Sequence, residues 1–102
     1  MNTAKDRFNI AFFQSSDEGS GGWASGVVYV NAREYQFETK HFDEGSVFGI
    51  NHGRISKLRI THRYPNKPVR EVCAYDRGWV RKPRASNAAD MAVYNAILKH
   101  YN

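Results

Sequence analysis

Apolar and polar positions alternate with a period of two over much of this chain, and the period lengthens only near the end. Phe8 to Gln14 (FNIAFFQ) is apolar and aromatic, which suits a strand. Ser15 to Gly22 (SSDEGSGG) is a run of turn residues and predicts a flexible loop. Trp23 to Val30 predicts a second strand, with Gly26 marking a bulge or a close approach of backbones. Asn31-Ala32 supplies a tight turn. From Arg33 to Phe42 the pattern alternates, with Tyr35, Phe37 and Thr39 on one face and Gln36, Glu38 and Lys40 on the other.

Asp43 to Gly53 (DEGSVFGINHG) carries Gly45, Gly49 and Gly53 and predicts a shaped loop, with Val47, Phe48 and Ile50 plugged into the core. Alternation returns over Arg54 to Tyr64. Ser56, Leu58, Ile60 and His62 take one face, and Lys57, Arg59, Thr61 and Arg63 the other. Pro65 to Pro68 is a turn. Val69 to Asp76 is an antiparallel partner strand, with Cys73 in phase with Val69 and Tyr75 as a small core residue. Arg77-Gly78 ends that strand, and Trp79 to Arg84 reads as a basic connector. Asn87 with Asp90 forms a helix start, and Met91, Tyr94, Ile97, Leu98 and Tyr101 recur at helical spacing. The fold class is α+β: a mainly antiparallel, twisted sheet of four to five strands with one C-terminal helix packed on one face.

At 102 residues the chain is one domain, with residues 1–7 expected to be flexible. Composition changes this picture in two ways. A single cysteine, Cys73, permits no intrachain disulfide, which fits a reducing, cytoplasmic setting. No apolar run approaches the roughly 20 residues of a membrane span, and no membrane partner is expected.

Charge is divided unevenly. Residues 1–53 carry four Lys or Arg against seven acids, whereas residues 54–84 carry ten against two. Such asymmetry points to an anionic partner. Within the second segment cations alternate with aromatic residues, as in Arg63-Tyr64 and Tyr75-x-Arg77-x-Trp79. Cations neutralise phosphates, aromatics stack on bases, and the same residue types dominate protein interfaces. The candidate binding residues are Lys57, Arg59, Arg63, Lys67, Arg70, Tyr75, Arg77, Trp79, Arg81, Lys82 and Arg84. Tyr75 and Trp79 serve equally well as core, and Asp76 is placed to brace its loop through Arg77 or Arg54.

Catalytic and metal chemistry finds little support. Gly45-x-x-x-Gly49-x-x-x-Gly53 is not a dinucleotide fingerprint, and no Lys-Ser/Thr pair follows it as in a phosphate-binding loop. His41, His52, His62 and His100 show no metal-ligand spacing. Asp43, Ser46 and His52 supply the residue types of a nucleophile triad, with His41 nearby, but no elbow or oxyanion hole accompanies them. The chain is therefore read as non-enzymatic, with no catalytic residue, cofactor or metal assigned; a small enzyme using His41, Asp43, Ser46 and His52 is the least favoured reading.

The stretch Phe42-Asp43-Glu44-Gly45-Ser46-Val47-Phe48-Gly49-Ile50-Asn51-His52-Gly53-Arg54-Ile55-Ser56-Lys57-Leu58 is distinctive, as is Tyr75-Asp76-Arg77-Gly78-Trp79. With Trp23-x-x-Gly26 and Tyr35-x-Phe37 they resemble a family of small phage and prophage proteins of unknown function. The resemblance spans about residues 23–79, leaving the N-terminal strand and the connector Val80 to Arg84 outside it. It implies a viral or mobile-element origin and a site of action in the host cytoplasm, and it supplies no catalytic residue. Small phage proteins often bind a host machine. The functional expectation is a binding protein that engages a host defence protein or nucleoprotein complex, such as a CRISPR–Cas effector, through its basic surface. The alternative is an accessory protein that binds DNA or RNA directly.

Overall fold

A computed structural model describes residues 9–19 and 21–102. The flexibility expected of residues 1–7 lies outside the described residues. Six strands follow in chain order: β1 (Ile10–Asp17), β2 (Gly22–Val30), β3 (Arg33–His41), β4 (Ile55–Arg63), β5 (Arg70–Asp76) and β6 (Trp79–Arg81). They form one antiparallel meander in which each strand pairs with its sequence neighbours. Among the described residues one α-helix, α1 (Ala88–Tyr101), completes the domain.

The α+β class holds, with six strands rather than four or five. The additional strand is β6, within the segment read as a connector. Trp79 pairs with Tyr75 and Arg81 with Ala74, and the edge ends before Pro83, which has no N–H to extend a ladder. β1 also runs further than expected. It continues to Asp17 by means of a bulge at Ser15 that restores its register with β2. The predicted bulge or close approach at Gly26 is met from both sides: Gly26 faces Gln14 beside that bulge, and a Cβ there would overlap the Phe13 carbonyl oxygen and press on the Phe37 ring.

Three tight turns take positive φ, at asparagine in two and at an arginine in the third. Asn31 (φ 55°) and Asn66 (φ 58°) turn the β2–β3 and β4–β5 hairpins, and Arg77 (φ 58°) turns β5 into β6.

The register sorts the side chains into two faces. One carries Phe12, Val28, Tyr35, Phe37, Leu58, Ile60, Cys73 and Tyr75, and α1 packs on it through Ala89, Val93, Tyr94, Ile97 and Tyr101. Met91 and Leu98, predicted for the helix stripe, pack at its margin. The Asn87 side-chain oxygen accepts the Asp90 N–H at 3.1 Å, so the predicted cap forms. At the other end of α1 the Tyr101 hydroxyl donates to Gln14 at 2.6 Å.

Residue 72 marks a departure from the predicted alternation. Ile60 faces Cys73 and Thr61 faces Glu71, leaving Val72 as the extra residue of a β-bulge. Val69 is consequently out of phase with Cys73 and exposed, contrary to the sequence pattern. The bulge turns Arg70 toward the helix face and Glu71 toward the open face. Strict alternation would place them the other way round.

The glycine loop is shaped, as expected, but for a different purpose. Ile50 is buried, whereas Val47 is 76% and Phe48 56% exposed, so only one of the three predicted plugs enters the core. Asn51 (φ 52°) and His52 (φ 60°) both take left-handed backbone, which folds Gly45, Gly49 and Gly53 against one another. The Asn102 side chain ties the loop down. Its oxygen accepts the Ile55 N–H at 3.0 Å and its amide donates to the Ile50 carbonyl at 3.1 Å.

Candidate functional site

The open face of the sheet carries the strand cations that sequence alternation singled out, and acids of neighbouring strands partner several of them. Arg59 faces Glu38 on β3 and binds Glu71 on β5 at 3.1 Å. Arg81 reaches the second oxygen of Glu71 at 3.2 Å. Lys57 lies 3.8 Å from Asp76 and 6.0 Å from the centre of the Trp23 ring. Arg77 also approaches Asp76, at 3.7 Å, which meets one of the two bracing partners foreseen for that acid. These pairs are exposed, and each contributes under about 1 kcal/mol to stability. Their consequence is electrostatic. Two acids share four of the predicted binding cations, so each of these cations meets an anion with its charge partly offset.

Aromatic side chains redistribute in the same way. Tyr75, a candidate for stacking, is 7% exposed and donates its hydroxyl to the Phe48 carbonyl at 2.8 Å. Trp79 packs edge-on against Tyr75, with centroids 5.0 Å apart, and leans on Tyr94. Both belong to the covered face and support the fold.

Arg70, another candidate, lies where the Val72 bulge turns it, opposite Asp90 of α1. Its Nη1 donates to Asp90 Oδ2 at 3.0 Å and its Nη2 to Oδ1 at 2.9 Å. The Tyr35 hydroxyl also donates to Oδ1, at 2.9 Å. Asp90 is 0% exposed, and these three hydrogen bonds offset its removal from water. Burial and the adjoining carboxylate push the Tyr35 phenol pKa well up, and the bond to Asp90 pushes that of the Arg70 guanidinium up. Sequence reading assigned Asp90 only to the first helical turn. Its phase with Val93, Tyr94 and Ile97 on the apolar stripe is the signal that it requires a buried partner.

His62 lies beside this cluster, stacked on Tyr35 with centroids 4.3 Å apart and planes 11° from parallel. Burial, reinforced by the Arg70 charge, holds its pKa below the ordinary value. The neutral ring presents Nδ1 to Arg70 Nη2 at 3.4 Å. A depressed folded-state pKa means that the unfolded chain takes up the proton first as pH falls. The stability contribution is therefore complete above the unfolded value of roughly 6.5 and is lost toward the folded value. Urea midpoints are expected to decline from pH 7 to pH 5, and His62→Phe should flatten that decline. An unchanged slope in His62→Phe would contradict the assignment.

Tyr64 continues the column outward. Its ring centroid lies 4.1 Å from that of His62, and it is 38% exposed. Here the remaining cations of the candidate set gather. The β2–β3 turn, the β4–β5 turn and the chain leaving β6 all lie at the same end of the meander. A concavity of about 960 Å³ is lined by Arg33, Arg63, Tyr64 and Lys67 among others. A second, of about 350 Å³, is lined by Tyr64, Arg81, Lys82 and Arg84 among others. Arg33, Arg63, Lys67, Lys82 and Arg84 have no carboxylate within 4.0 Å among the described residues. Glu34, the acid of the first concavity, accepts from Gln36 at 3.1 Å. Arg33 lies outside the basic segment and was missed by sequence reading. Only the closure of the β2–β3 turn beside the β4–β5 turn reveals it.

Among the described residues no side-chain hydrogen bond joins the residues considered for catalysis to one another. Ser46 Oγ accepts the Phe48 N–H at 3.2 Å within its own turn. His41 Nε2 lies 3.1 Å from Asp17 Oδ1, and Asp43 and His52 are exposed. Among the described residues no group of three or more His, Cys, Asp or Glu is placed to hold a metal ion. No helix among the described residues is long and apolar enough to cross a membrane.

The fold is thus a small α+β domain: a six-stranded meander with one helix across its inner face and an unpaired cationic cluster at one end. The chain belongs to the family described as a domain of unknown function (DUF7678), which it matches over residues 22–102. That span takes in Val80 to Arg84 and α1, so the family's domain reaches beyond the 23–79 segment that carries the sequence motifs, and β1 alone among the strands lies outside it. No curated protein and no solved structure matches the chain.

Proposed function

We propose that this chain is a non-enzymatic binding module that engages an anionic partner through the basic end of its sheet. The observation that carries the proposal is the gathering of Arg33, Arg63, Lys67, Lys82 and Arg84 around Tyr64 with no paired acid among the described residues. Cations left unpaired on a surface keep their field for a partner, and a polyanion that displaces counterions gains affinity steeply at low salt.

The particular version of this proposal is an anti-defence role in the host cytoplasm. A phage-encoded protein would bind a host nucleoprotein complex, such as a CRISPR–Cas effector, where nucleic acid or an acidic protein face meets the basic end. The small size, the charge and the phage-like motifs support it. Purified effector complexes titrated with the protein, together with phage plating on an interfering host, test that version. Neither binding nor protection would end it and leave the general proposal intact.

The general proposal is tested by charge removal. Binding to heparin at 50 mM salt is measured for the wild type and two variants. Arg63→Ala/Lys67→Ala/Lys82→Ala/Arg84→Ala is expected to lose on the order of a hundredfold in affinity, as several counterion-releasing contacts disappear. Lys57→Ala/Arg59→Ala is expected to stay within about threefold, because those cations are already shared with Asp76 and Glu71. Equal losses in the two variants would show that the proposal misplaces the surface.

A further inference from the structure

We infer that the basic end takes single-stranded nucleic acid, with one unpaired base stacked on Tyr64 and its flanking phosphates held in the concavities on either side. The inference rests on the binding reading above and names the partner class. Its observation is the aromatic column Tyr35–His62–Tyr64, which runs from the core to the surface. Tyr35 is fixed by its hydrogen bond to Asp90, His62 stacks on Tyr35, and Tyr64 leans on His62. The outermost ring is therefore held from behind, and its ordering cost is met by the fold before any ligand arrives.

Tyr64 also separates the two cationic concavities and lines both of them. Arg63 and Lys67 stand on one side, Lys82 and Arg84 on the other. A single strand needs this arrangement: a π-surface for the base and positive charge before and after it along the backbone. A duplex buries its base faces and would leave Tyr64 without a ligand. An acidic peptide uses the cations but offers nothing flat for the ring. The concavity containing Arg33, Arg63 and Lys67, of about 960 Å³, is open to solvent, as a groove that follows a strand's backbone must be. The site reads no base edge that the structure identifies, and sequence-tolerant binding is expected.

The experiment compares Tyr64→Leu, Tyr64→Phe and the wild type by fluorescence anisotropy at 50 mM salt. The probes are labelled ten-residue oligothymidylate, ten-residue oligouridylate, a twenty-base-pair duplex and heparin. Tyr64→Leu should weaken binding of the single strands by roughly tenfold or more and leave heparin affinity unchanged, and Tyr64→Phe should retain the wild-type values. The two single strands separate a DNA source from an RNA source. Photocrosslinking of wild-type protein to an iodouracil-bearing strand should label the peptide that contains Tyr64, which keeps the test valid should Tyr64→Leu disturb the fold. The inference is overturned by single-strand affinity unmoved in a folded Tyr64→Leu, by duplex binding as tight as single-strand binding, or by crosslinks elsewhere. Heparin binding that survives those outcomes would leave the broader reading standing. Loss of all polyanion binding by the wild type would end both.

Discussion

Replacing Arg70 with methionine should cost about 3–5 kcal/mol of folding stability, although this arginine was first read as a binding residue. The reason is the group left behind. Asp90 is fully buried, and without Arg70 it keeps only the Tyr35 hydroxyl and no counter-charge. Asp90→Ala should cost less, toward about 3 kcal/mol, because the stranded Arg70 side chain is 34% exposed and water can reach it. Arg70→Lys should rescue little, since an ammonium cannot reproduce the two parallel bonds to one carboxylate. Arg70→Met/Asp90→Leu/Tyr35→Phe, which removes every polar member at once, should recover most of the loss. Urea unfolding of the set gives the coupling directly. Additive costs across the three positions would show that the cluster is not one network.

Gly49→Ala should be the most damaging change in the loop between β3 and β4, at about 3 kcal/mol and a fall in melting temperature on the order of 15 °C. Gly49 has a φ of −83°, open to any residue, so conformational freedom is not at stake. The obstacle is the Gly53 carbonyl, which an added Cβ would overlap. Gly53 has no room to retreat, because it lies against the Asn102 side chain that ties the loop to Ile50 and Ile55. A side chain in the way can rotate, whereas backbone pinned from both sides cannot. Gly78→Ala is the control, since a Cβ there meets nothing within 4 Å, and a change under about 1 kcal/mol is expected. Equal melting temperatures for the two variants would contradict the packing account.

The sheet was largely legible because its hydrophobic period is two and its turns carry Asn, Pro and Gly where the structure needs them. β6 was missed because three residues hold too little alternation to distinguish a strand from a connector. The misreading of Val69 and Arg70 has a sharper cause. A bulge changes phase at one residue, and nothing in Arg70 to Asp76 declares that Val72 is the extra one. With the phase inverted, Arg70 was counted as a surface cation and its partner Asp90 as an ordinary first-turn acid. The pairing joins residues twenty positions apart and is invisible to any local pattern.

The charge of the basic segment was legible as a quantity but not as a surface. Alternation placed Lys57 and Arg59 correctly on one face, yet their neutralisation depends on Glu38, Glu71 and Asp76 from adjacent strands. Tyr75 and Trp79 are aromatic beside cations in sequence and part of the core in space. Arg33 joins the site only through the meander, which sets its turn beside Tyr64 and Lys67. The cations of the candidate set without an acid partner among the described residues are fewer and more localised: Arg63, Lys67, Lys82 and Arg84, with Arg81, which reaches Glu71, at the margin.

Amide chemical shifts of the labelled protein during titration with oligothymidylate test the central claim most directly, because they locate the surface without altering a residue. Perturbations concentrated at Arg33, Arg63, Tyr64, Lys67, Lys82 and Arg84, with Lys57 and Arg59 unmoved, are the predicted result. Perturbations centred on Trp23, Lys57 and Arg59, or none at low salt, would contradict it.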